Sequence, residues 1–428
     1  MRFNTLAAWL AWQETLHPQR IELRLERVAT VWSRLWSGDF PAALITVGGT
    51  NGKGSCVALL DNAYRAAGYR CCSYTSPHLL RYNERINLNG QPVSDADLCA
   101  AFERVDQARS DLRLTYFEFG TLAALDLFAR AAPDVVILEV GLGGRLDAVN
   151  ILGADVALVT SIGYDHTAWL GDTLDQIAVE KAGIFRPQRP AVIGQRDAPA
   201  RLRQRAEDIG ATVSQLGHEF DWQQTTADSW QWRGNNGVAP LALPLPRLRG
   251  QFQLDNAAAV AQVIECLSNR LPVPVTALRQ ALLRTSLAGR FQVIPGAVNW
   301  ILDVAHNPAA AATLADNLRR WRHDHAGAVH AVVAIFSDKD AVGIAQQLAP
   351  VIDTWHLAAA ASERALPVEQ LAAAVATAQP SRPYHNYPDL NAALHAVQTQ
   401  AHSGDTVLVT GSFVTVEAAL HTAGMTII

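Results

Sequence analysis

A glycine-rich segment near the start of the chain has the residue types that hold a phosphate. The segment TVGGTNGKGS, residues 46–55, follows an apolar, β-prone run at 42–47 and precedes a helical pattern. Its glycines let backbone N–H groups converge on a phosphate, Lys53 adds a point charge, and Ser55 offers a hydroxyl to Mg²⁺. The strict G-x-x-x-x-G-K-[ST] spacing is not met, because Gly54 separates the lysine from the serine. The order of the parts predicts a nucleotide phosphate site, with a ligand-free glycine-rich turn as the alternative.

Two polar residues follow apolar runs at points where open α/β sheets bind ligands. Glu139 ends the hydrophobic run 134–138. A buried carboxylate is costly without a partner, so we expect a metal ion facing the phosphate loop, with an ion pair to Arg145 as the alternative. His166 follows the predicted strand 154–162. Its imidazole could reach the same metal cluster, or it is a hydrogen-bonded loop residue.

Two other positions have ordinary interpretations on residue type alone. Ser76 precedes Pro77 in a segment that cannot be regular helix, and by itself it is a turn serine. Lys181 lies in the predicted helix 174–185, where a solvated lysine or one beside Glu180 is the simple interpretation.

The elements that must position these residues alternate between short apolar runs and helical patterns. This alternation predicts an α/β fold with parallel sheets covered by helices. We predict a P-loop-containing parallel-sheet domain over residues 1–292 and a smaller, doubly wound (Rossmann-like) domain over 293–428. Residues 220–250 break the pattern and predict antiparallel edge strands, with a hairpin turn at Asn235-Asn236-Gly237. The strands of the second domain are predicted near 298–304, 330–336, 353–359, 382–387 and 405–411.

Composition bounds the class of protein. The chain has 428 residues, of which 49% are hydrophobic, and this excludes a disulfide miniprotein and a disordered chain. A net charge of −5 gives no general attraction to nucleic acids or anionic membranes, so we expect neither as a partner. Leu6–Trp12 predicts an amphipathic helix rather than a signal peptide, and no apolar run approaches membrane-span length. The five cysteines contain no C-x-x-C pair and predict free thiols of a reducing compartment. We therefore expect a soluble cytoplasmic protein, and a monomer.

The phosphate-loop variant, with glycine directly after the lysine, resembles that of the Mur-ligase superfamily, whose members join a carboxylate to an amine using ATP. Within the superfamily it is most similar to the folylpolyglutamate synthase and dihydrofolate synthase branch. Further motifs match in order over nearly the whole chain, which makes the resemblance highly specific. They are TSPHL at 75–79, ERI at 84–86, LEVGLGGRLDA at 138–148, DH at 165–166, EKAGI at 180–184 and DVAHNP at 303–308.

The resemblance implies ATP, two Mg²⁺ ions and a set of nucleotide and metal ligands. It makes Ser55, Ser76 and Glu139 ligands of Mg²⁺ and assigns His166 to a second ion. It also implies that Lys181 is N-carboxylated and helps to hold this second ion, with Lys53, Lys181 and His166 as the catalytic residues. The implied nucleotide-binding residues are Thr50, Asn51, Gly52, Lys53, Gly54, Ser55, Asn256, Arg290 and Asp303. Without the resemblance, Asn256 is equally well a helix N-cap and Arg290 a linker arginine.

The resemblance further implies sites for the acceptor and for L-glutamate. His306 and Ser412 resemble the residues that contact L-glutamate. Val304 stands where the family often has glycine, which leaves the local backbone geometry open. An aromatic pair beside a carboxylate suits a flat pteridine ring, and it is also how an ordinary helix start looks. The residues that match the dihydropteroate pocket are Thr115, Tyr116, Phe117, Glu118, Leu146, Asp147 and Ala148.

The activity so implied is transfer of L-glutamate to dihydropteroate, forming dihydrofolate, and to reduced folates, through an acyl phosphate. One alternative is polyglutamylation of folate alone. A related cell-wall ligase is another, although the loop begins within the first fifty residues and leaves no room for the extra domain such ligases usually carry. A P-loop switch or motor NTPase and a non-catalytic nucleotide-binding module are weaker alternatives.

Overall fold

The structure, a computed structural model, describes residues 2–19, 21–234 and 239–422. The chain divides into two compact units, each with its own large sheet. This confirms the predicted fold class. The first unit comprises Met1–Gly163, Thr167–Arg247 and Gln253–Thr285; the second comprises Tyr164–His166, Leu248–Phe252 and Ser286–Ile428.

The first unit is built on an eight-stranded sheet. Its strands are β1 (Ala43–Gly48), β2 (Cys71–Tyr74), β3 (Ile86–Leu88), β4 (Gln91–Pro92), β5 (Val135–Glu139), β6 (Val156–Val159), β7 (Pro190–Ile193) and β8 (Thr212–Gln215). Their spatial order is β4-β3-β2-β5-β1-β6-β7-β8. The six strands from β2 to β8 are parallel, and β3 and β4 add an antiparallel edge. Every residue of β1 and β5 is buried, as expected of central strands covered on both faces.

Ten α-helices belong to the first unit in the part of the chain that the structure describes. They are α1 (Leu6–Leu16), α2 (Glu26–Leu35), α3 (Lys53–Ala66), α4 (Asp95–Arg109), α5 (Tyr116–Ala131), α6 (Thr167–Leu170), α7 (Leu174–Ala182), α8 (Ala200–Asp208), α9 (Phe252–Cys266) and α10 (Val275–Arg284). Two 3-10 helices, Tyr82–Arg85 and Ala148–Ile151, connect them to the sheet. The predicted helix at Leu6–Trp12 is confirmed as the start of α1.

A separate three-stranded sheet interrupts the alternation. Its strands, β9 (Asp221–Gln224), β10 (Ser229–Arg233) and β11 (Leu241–Pro244), are antiparallel. The predicted antiparallel strands are thus confirmed, but they form their own sheet instead of an edge of the large one. The predicted turn at Asn235-Asn236-Gly237 lies outside the described residues.

The second unit is built on a six-stranded sheet. Its strands are β12 (Gln292–Ile294), β13 (Asn299–Leu302), β14 (Val329–Val333), β15 (Thr354–Leu357), β16 (Tyr384–Asn386) and β17 (Thr406–Thr410). The order is β12-β13-β17-β14-β15-β16, and only β12 is antiparallel to its neighbour. The helices are α11 (Pro308–Asp324), α12 (Ala341–Leu348), α13 (Val368–Ala378), α14 (Leu390–Gln400) and α15 (Phe413–Thr422), with a 3-10 turn at Ala349–Val351. All five predicted strands are present, and β12 is an addition that the pattern did not predict.

The strand order of the first unit fixes where a ligand should bind. β1 lies between β5 and β6, and the sheet continues on one side to β2 and on the other to β7 and β8. The loop that follows β1 therefore leaves the sheet where the strand order reverses. In open α/β sheets such a switch point is the usual ligand site, at the carboxyl ends of the strands.

The cysteines and the helix lengths agree with the expectations from composition. All five cysteines are free thiols. In the described ranges no helix is long and apolar enough to cross a membrane.

The free energy of unfolding is expected to fall in mild acid because of a buried histidine in the second unit. Burial of His356, aided by the nearby His330 and His385, lowers its pKa from 6.5 to about 4. The unfolded chain therefore binds this proton below pH 6.5 while the folded chain does not, so the free energy of unfolding falls as pH drops from 6.5 to 4, by up to about 3 kcal/mol.

Chemical denaturation of His356→Asn at pH 7 and pH 5 should show a smaller pH dependence than the unsubstituted chain. The exposed His395→Asn, on α14, is the matched control, because His395 is not among the groups that shift the pKa of His356. An unchanged slope in His356→Asn would show that this histidine is not the titrating group.

Candidate active site

The phosphate loop joins the buried strand β1 to the start of α3. Gly49 and Gly52 have φ values of +140° and +90°, which residues with a side chain rarely adopt. A Cβ at Gly49 would collide with the hydroxyl of Thr160, and one at Gly52 would lie 2.6 Å from Oδ1 of Asn256. α3 begins at Lys53, so its free N–H groups lie directly after the loop. The predicted strand, glycine turn and helix are all present.

The end of β6 holds the loop in place. The hydroxyl of Thr160 donates to the carbonyl of Asn51 at 2.6 Å, and the Ser161 hydroxyl donates to the same oxygen at 3.1 Å. In return, the N–H of Thr50 donates to the carbonyl of Ser161 at 2.8 Å. The sequence interpretation missed Thr160 and Ser161, although polar residues at the end of an apolar strand were the available signal.

Two lysines from distant segments bond to one carbonyl oxygen. Nζ of Lys53 donates to the carbonyl of Gly49 at 3.0 Å, and Nζ of Lys181, from α7, donates to the same atom at 2.9 Å. Lys181 is buried, so its interpretation as a solvated lysine is wrong. The neighbouring Glu180 pairs with Arg145 instead, at 2.8 Å. The structure thus brings both predicted catalytic lysines to the phosphate loop.

Glu139 lies at the end of β5, opposite Val47 of β1. It is 5% exposed, and one carboxylate oxygen accepts the backbone N–H of Ser76 at 3.2 Å. The alternative of a Glu139–Arg145 ion pair is wrong, because the guanidinium of Arg145 is engaged by Glu180. Two of the predicted metal ligands, Glu139 and Ser76, therefore lie together.

The donor set of this region suits Mg²⁺. Within residues 2–19, 21–234 and 239–422, no group of three or more His, Cys, Asp or Glu side chains could hold a metal ion. Mg²⁺ is usually bound by one or two carboxylates plus substrate phosphates and water, so the buried carboxylate of Glu139 with serine oxygens fits its preference. His166, with φ of +51°, belongs to the second unit, and its association with these residues stays a prediction.

Helix α9 contacts the loop through two buried amides. Nε2 of Gln253 donates to the hydroxyl of Ser55 at 3.2 Å, while its Oε1 accepts from Nδ2 of Asn256 at 2.9 Å. Asn256 lies inside α9, so its interpretation as an N-cap is wrong. The structure places it against Gly52. Gln253, which the sequence interpretation missed, links the predicted nucleotide residue to the predicted metal ligand.

The predicted dihydropteroate segments have clear structural roles. Thr115 and Glu118 form a capping box at the start of α5, and Glu118 also pairs with Arg27 at 2.8 Å. The helix-start interpretation is thus confirmed for these two side chains. The ring of Phe117 packs against Gly141, where a Cβ would be 2.6 Å away, and lies 6.0 Å from the ring of Tyr74.

The second of these segments contains a buried carboxylate. Asp147 caps the 3-10 helix Ala148–Ile151 and accepts N–H bonds from Leu142 and Val149 at 2.8 and 3.0 Å. Burial raises its pKa to about 6, against the effect of these bonds. Ala148 is buried beside it and Leu146 is partly exposed. A carboxyl group with a pKa near neutral can accept or donate a hydrogen bond to a heterocyclic ring.

Four predicted residues besides His166 lie in the second unit. Asp303 follows β13 and accepts the N–H groups of Phe291 and Ala305, each at 2.8 Å; burial raises its pKa, opposed by the charge of Arg290. Cζ of Arg290 lies 5.3 Å from the ring centroid of Phe413.

The two residues predicted to contact L-glutamate have local partners. The hydroxyl of the buried Ser412 lies 2.6 Å from the hydroxyl of Thr415 and accepts the backbone N–H of Thr415. Nδ1 of His306 lies 2.8 Å from the carbonyl of Val304.

Asp165 gathers several polar side chains of the second unit. Nζ of Lys339 donates to it at 2.6 Å, Nδ2 of Asn307 donates at 3.3 Å, and Nε2 of His306 lies 3.5 Å away. Burial acts to raise the pKa of Asp165, but the hydrogen bond from His306 and the charges of His166 and Lys339 outweigh it and hold the pKa well below its usual range.

Lys339 was missed from the sequence, although composition contained a signal. The chain has only three lysines against 32 arginines. Two of the three, Lys53 and Lys181, had already been predicted to be functional. Lys339 is the third lysine, and it stands two residues after Ser337, which ends an apolar run. The rarity of lysine in this chain and this position together indicate a functional role.

Comparisons with known proteins agree with this arrangement. Residues 47–264 match the Mur ligase middle domain, and residues 289–413 match the Mur ligase glutamate ligase domain. The chain is 40% identical over 413 residues to a dihydrofolate synthase/folylpolyglutamate synthase of Escherichia coli, covering 96% of this chain and 94% of the relative. It is 38% identical over 430 residues to the protein of the same name in Haemophilus influenzae, covering 96% of each.

Solved structures give the same result. E. coli FolC in complex with DHPP and ADP superposes with a TM-score of 0.91 at 40% identity, covering 98% of each chain. A bifunctional folylpolyglutamate synthase/dihydrofolate synthase with Mn, AMPPNP and L-glutamate bound superposes with a TM-score of 0.88 at 41% identity, again covering 98% of each chain. Likeness of this extent, over both domains, shows that the chain belongs to the dihydrofolate synthase/folylpolyglutamate synthase family of Mur ligases.

Proposed function

We propose that the chain is an ATP-dependent ligase that joins L-glutamate to dihydropteroate, forming dihydrofolate, and adds further glutamates to reduced folates. One observation carries this proposal: Lys53 and Lys181 both bond to the carbonyl of Gly49 in a phosphate loop at the switch point of the sheet, with the buried Glu139 on the adjacent strand. The names of the relatives support both activities.

The reaction has two steps. An oxygen of the acceptor carboxylate attacks the γ-phosphorus of ATP, the bond to ADP breaks, and an acyl phosphate forms. The amine of L-glutamate then attacks the acyl carbon, an amide forms, and inorganic phosphate leaves with the former carboxylate oxygen, while the amine loses a proton. The protein acts by positioning and by neutralising charge: the loop amides, the start of α3 and Nζ of Lys53 stabilise the charge on the transferring phosphoryl group.

Ser55, Ser76 and Glu139 would hold one Mg²⁺, and His166 with an N-carboxylated Lys181 would hold a second. Bound Mg²⁺ neutralises phosphate charge at the reacting end of ATP. The burial of Lys181 supports the modification, because burial favours the neutral amine and only that form takes up CO₂. Asn256, Arg290 and Asp303 are proposed to contact the nucleotide.

The acceptor is proposed to bind beside Thr115–Glu118 and Leu146–Ala148. The buried side chains of Thr115 and Glu118 form the capping box, which leaves Tyr116, Phe117 and Asp147 to recognise the pteridine. L-Glutamate is assigned to His306 and Ser412.

These assignments give each domain a role. We propose that residues 1–292 form the ATP- and acceptor-binding domain and that residues 293–428 form the glutamate-ligase domain. We also propose that the chain works as a monomer in the cytoplasm, a reducing compartment that suits its five free thiols.

Assaying the purified chain with each acceptor separately tests the function. With ATP, Mg²⁺ and radiolabelled L-glutamate, label should enter both dihydropteroate and tetrahydrofolate. Incorporation into tetrahydrofolate alone would reduce the protein to a polyglutamylating enzyme. ATP turnover that does not depend on L-glutamate would favour a switch or motor NTPase instead.

Removal of the His306 imidazole should affect L-glutamate and not ATP. We expect His306→Ala to raise the KM for L-glutamate by about tenfold or more, with the Kd for ATP changed by less than about twofold. Steady-state kinetics and calorimetric ATP binding measure the two effects, with the exposed His395→Ala as the control. Equal loss of ATP affinity in His306→Ala would contradict the assigned division of roles.

A further inference from the structure

Arg85 is a buried cation in the predicted acceptor region. It ends the 3-10 helix Tyr82–Arg85 and is 9% exposed. Its Cζ lies 5.0 Å from the ring centroid of Tyr82 and 5.7 Å from that of Tyr116. Its Nε donates to Nδ1 of His78 at 2.9 Å. A guanidinium removed from water to this extent normally has an anionic partner, because desolvation of an unpaired charge is costly.

The described residues provide no such anion. By comparison, Arg81, at the start of the same 3-10 helix, is paired with Asp95 at 3.0 Å. Within the described residues the polar partners of the Arg85 side chain are the ring of His78 and the hydroxyl of the buried Tyr74, and neither is a carboxylate. Its histidine partner is neutral near pH 7, because burial, with a further contribution from the charge of Arg85, lowers the pKa of His78 to about 4. The positive charge of Arg85 therefore faces aromatic rings and a neutral imidazole, but no carboxylate of the described residues.

The position of Arg85 connects it to both ends of the proposed acceptor site. Its carbonyl accepts the N–H of Thr75 at 2.8 Å, directly before Ser76, which bonds to Glu139. Its guanidinium faces Tyr116, in the segment proposed to contact the pteridine. The backbone of Arg85 thus adjoins the segment Thr75-Ser76, while its guanidinium adjoins Tyr116 of the proposed pteridine segment.

The two acceptors differ in the charge that remains on them during reaction. Dihydropteroate has one carboxylate, which is consumed when the amide forms. A reduced folate ends in a glutamate with two carboxylates, of which one reacts and the other stays ionised. Only the second acceptor needs an additional cation, and the planar fork of arginine matches a carboxylate through two parallel hydrogen bonds.

We propose that Arg85 binds the non-reacting carboxylate of the terminal glutamate of reduced-folate acceptors, and so determines specificity for polyglutamylation over dihydrofolate synthesis. This inference rests on the proposed function and assigns a role to one residue of its acceptor site. Arg85 contacts the substrate, and dihydropteroate, which lacks the second carboxylate, depends on it little.

Kinetics of Arg85→Met and Arg85→Lys with each acceptor test this role. We expect Arg85→Met to raise the KM for tetrahydrofolate by roughly ten- to a hundredfold, the effect of losing a charge-assisted hydrogen-bonded pair, with kcat changed little. Its kcat/KM for dihydropteroate should fall by a clearly smaller factor, which reflects only the lost packing of Arg85 against Tyr116. Arg85→Lys keeps the charge and should recover part of the loss. The exposed Arg81→Met, from the same loop, is the matched control and should affect neither acceptor.

A change in the substrate gives a test that does not depend on the variant folding. The probe is a tetrahydrofolate whose non-reacting carboxylate is replaced by a carboxamide. With the unsubstituted chain, this analogue should have a higher KM than tetrahydrofolate. With Arg85→Met, the KM values of the analogue and of tetrahydrofolate should be similar. An unchanged KM for this analogue with the unsubstituted chain overturns the inference. So does an equal loss for both acceptors in Arg85→Met, which indicates a structural role. If the unsubstituted chain uses neither acceptor, the proposed function itself is refuted.

Discussion

Replacing Lys53 with alanine is expected to abolish ligation to both acceptors, with kcat/KM falling by about a thousandfold or more. The ammonium group lies in the phosphate loop, bonded to the carbonyls of Gly49 and Thr50 at 3.0 and 3.1 Å, next to the start of α3. In phosphoryl transfer, catalysis comes mainly from positioning and from stabilising charge on the transferring group. Loss of this charge therefore affects the first chemical step, which the two activities share.

Formation of amide product from each acceptor measures the effect, and thermal unfolding checks that the fold is kept. Arg201→Met, which removes an exposed cation on another helix, should leave both activities intact. Loss of only one activity in Lys53→Ala would contradict the account, because it would mean that the two acceptors are not activated by the same phosphate loop.

Replacing Lys181 with alanine is expected to lower kcat for both acceptors by about a hundredfold or more. Nζ of Lys181 is buried and bonds to the same carbonyl of Gly49 as Lys53, so this side chain reaches the phosphate loop directly. An N-carboxylated side chain at this position would supply an anion to help hold Mg²⁺, and alanine would remove that ligand. Small carboxylates such as formate or acetate should restore part of the activity of Lys181→Ala.

Mass analysis of the intact, folded chain at neutral pH, where the carbamate is retained, tests the modification itself. Carboxylation adds one CO₂ to the lysine, and activity of the unsubstituted chain should fall in CO₂-free buffer and return with bicarbonate. The exposed Arg145, which pairs with the neighbouring Glu180, provides a control: Arg145→Met should respond to bicarbonate as the unsubstituted chain does. An unmodified Lys181 together with no bicarbonate effect would refute the proposed carboxylation.

Local patterns in the sequence were sufficient for the elements and for the phosphate loop. The helix start at Lys53, the buried strand before Glu139 and the antiparallel strands around Trp230 follow from hydrophobic period, glycine and turn residues that lie close together in the chain. These features depend on interactions among near neighbours, which a single sequence displays directly.

Those local patterns did not predict contacts between segments that are distant in the sequence. The bond from Thr160 to Asn51 joins residues 109 positions apart, and that from Gln253 to Ser55 joins residues 198 apart. Each depends on the register of strands and on which face of a helix turns inward, and neither is encoded in spacing. The same holds for the pairing of Lys339 with Asp165 and for the lack of a carboxylate beside Arg85 among the described residues, since ion pairs follow from tertiary packing.

Transfer of oxygen from the acceptor to phosphate tests the central claim most directly. Dihydropteroate and tetrahydrofolate, each labelled with oxygen-18 in the reacting carboxylate, are ligated to L-glutamate by the purified chain, and the released phosphate is analysed by mass spectrometry. Activation as an acyl phosphate predicts one labelled oxygen in each phosphate released, with both acceptors and in the same amount as amide. Unlabelled phosphate, or cleavage of ATP to AMP and pyrophosphate, would contradict the proposed ligase.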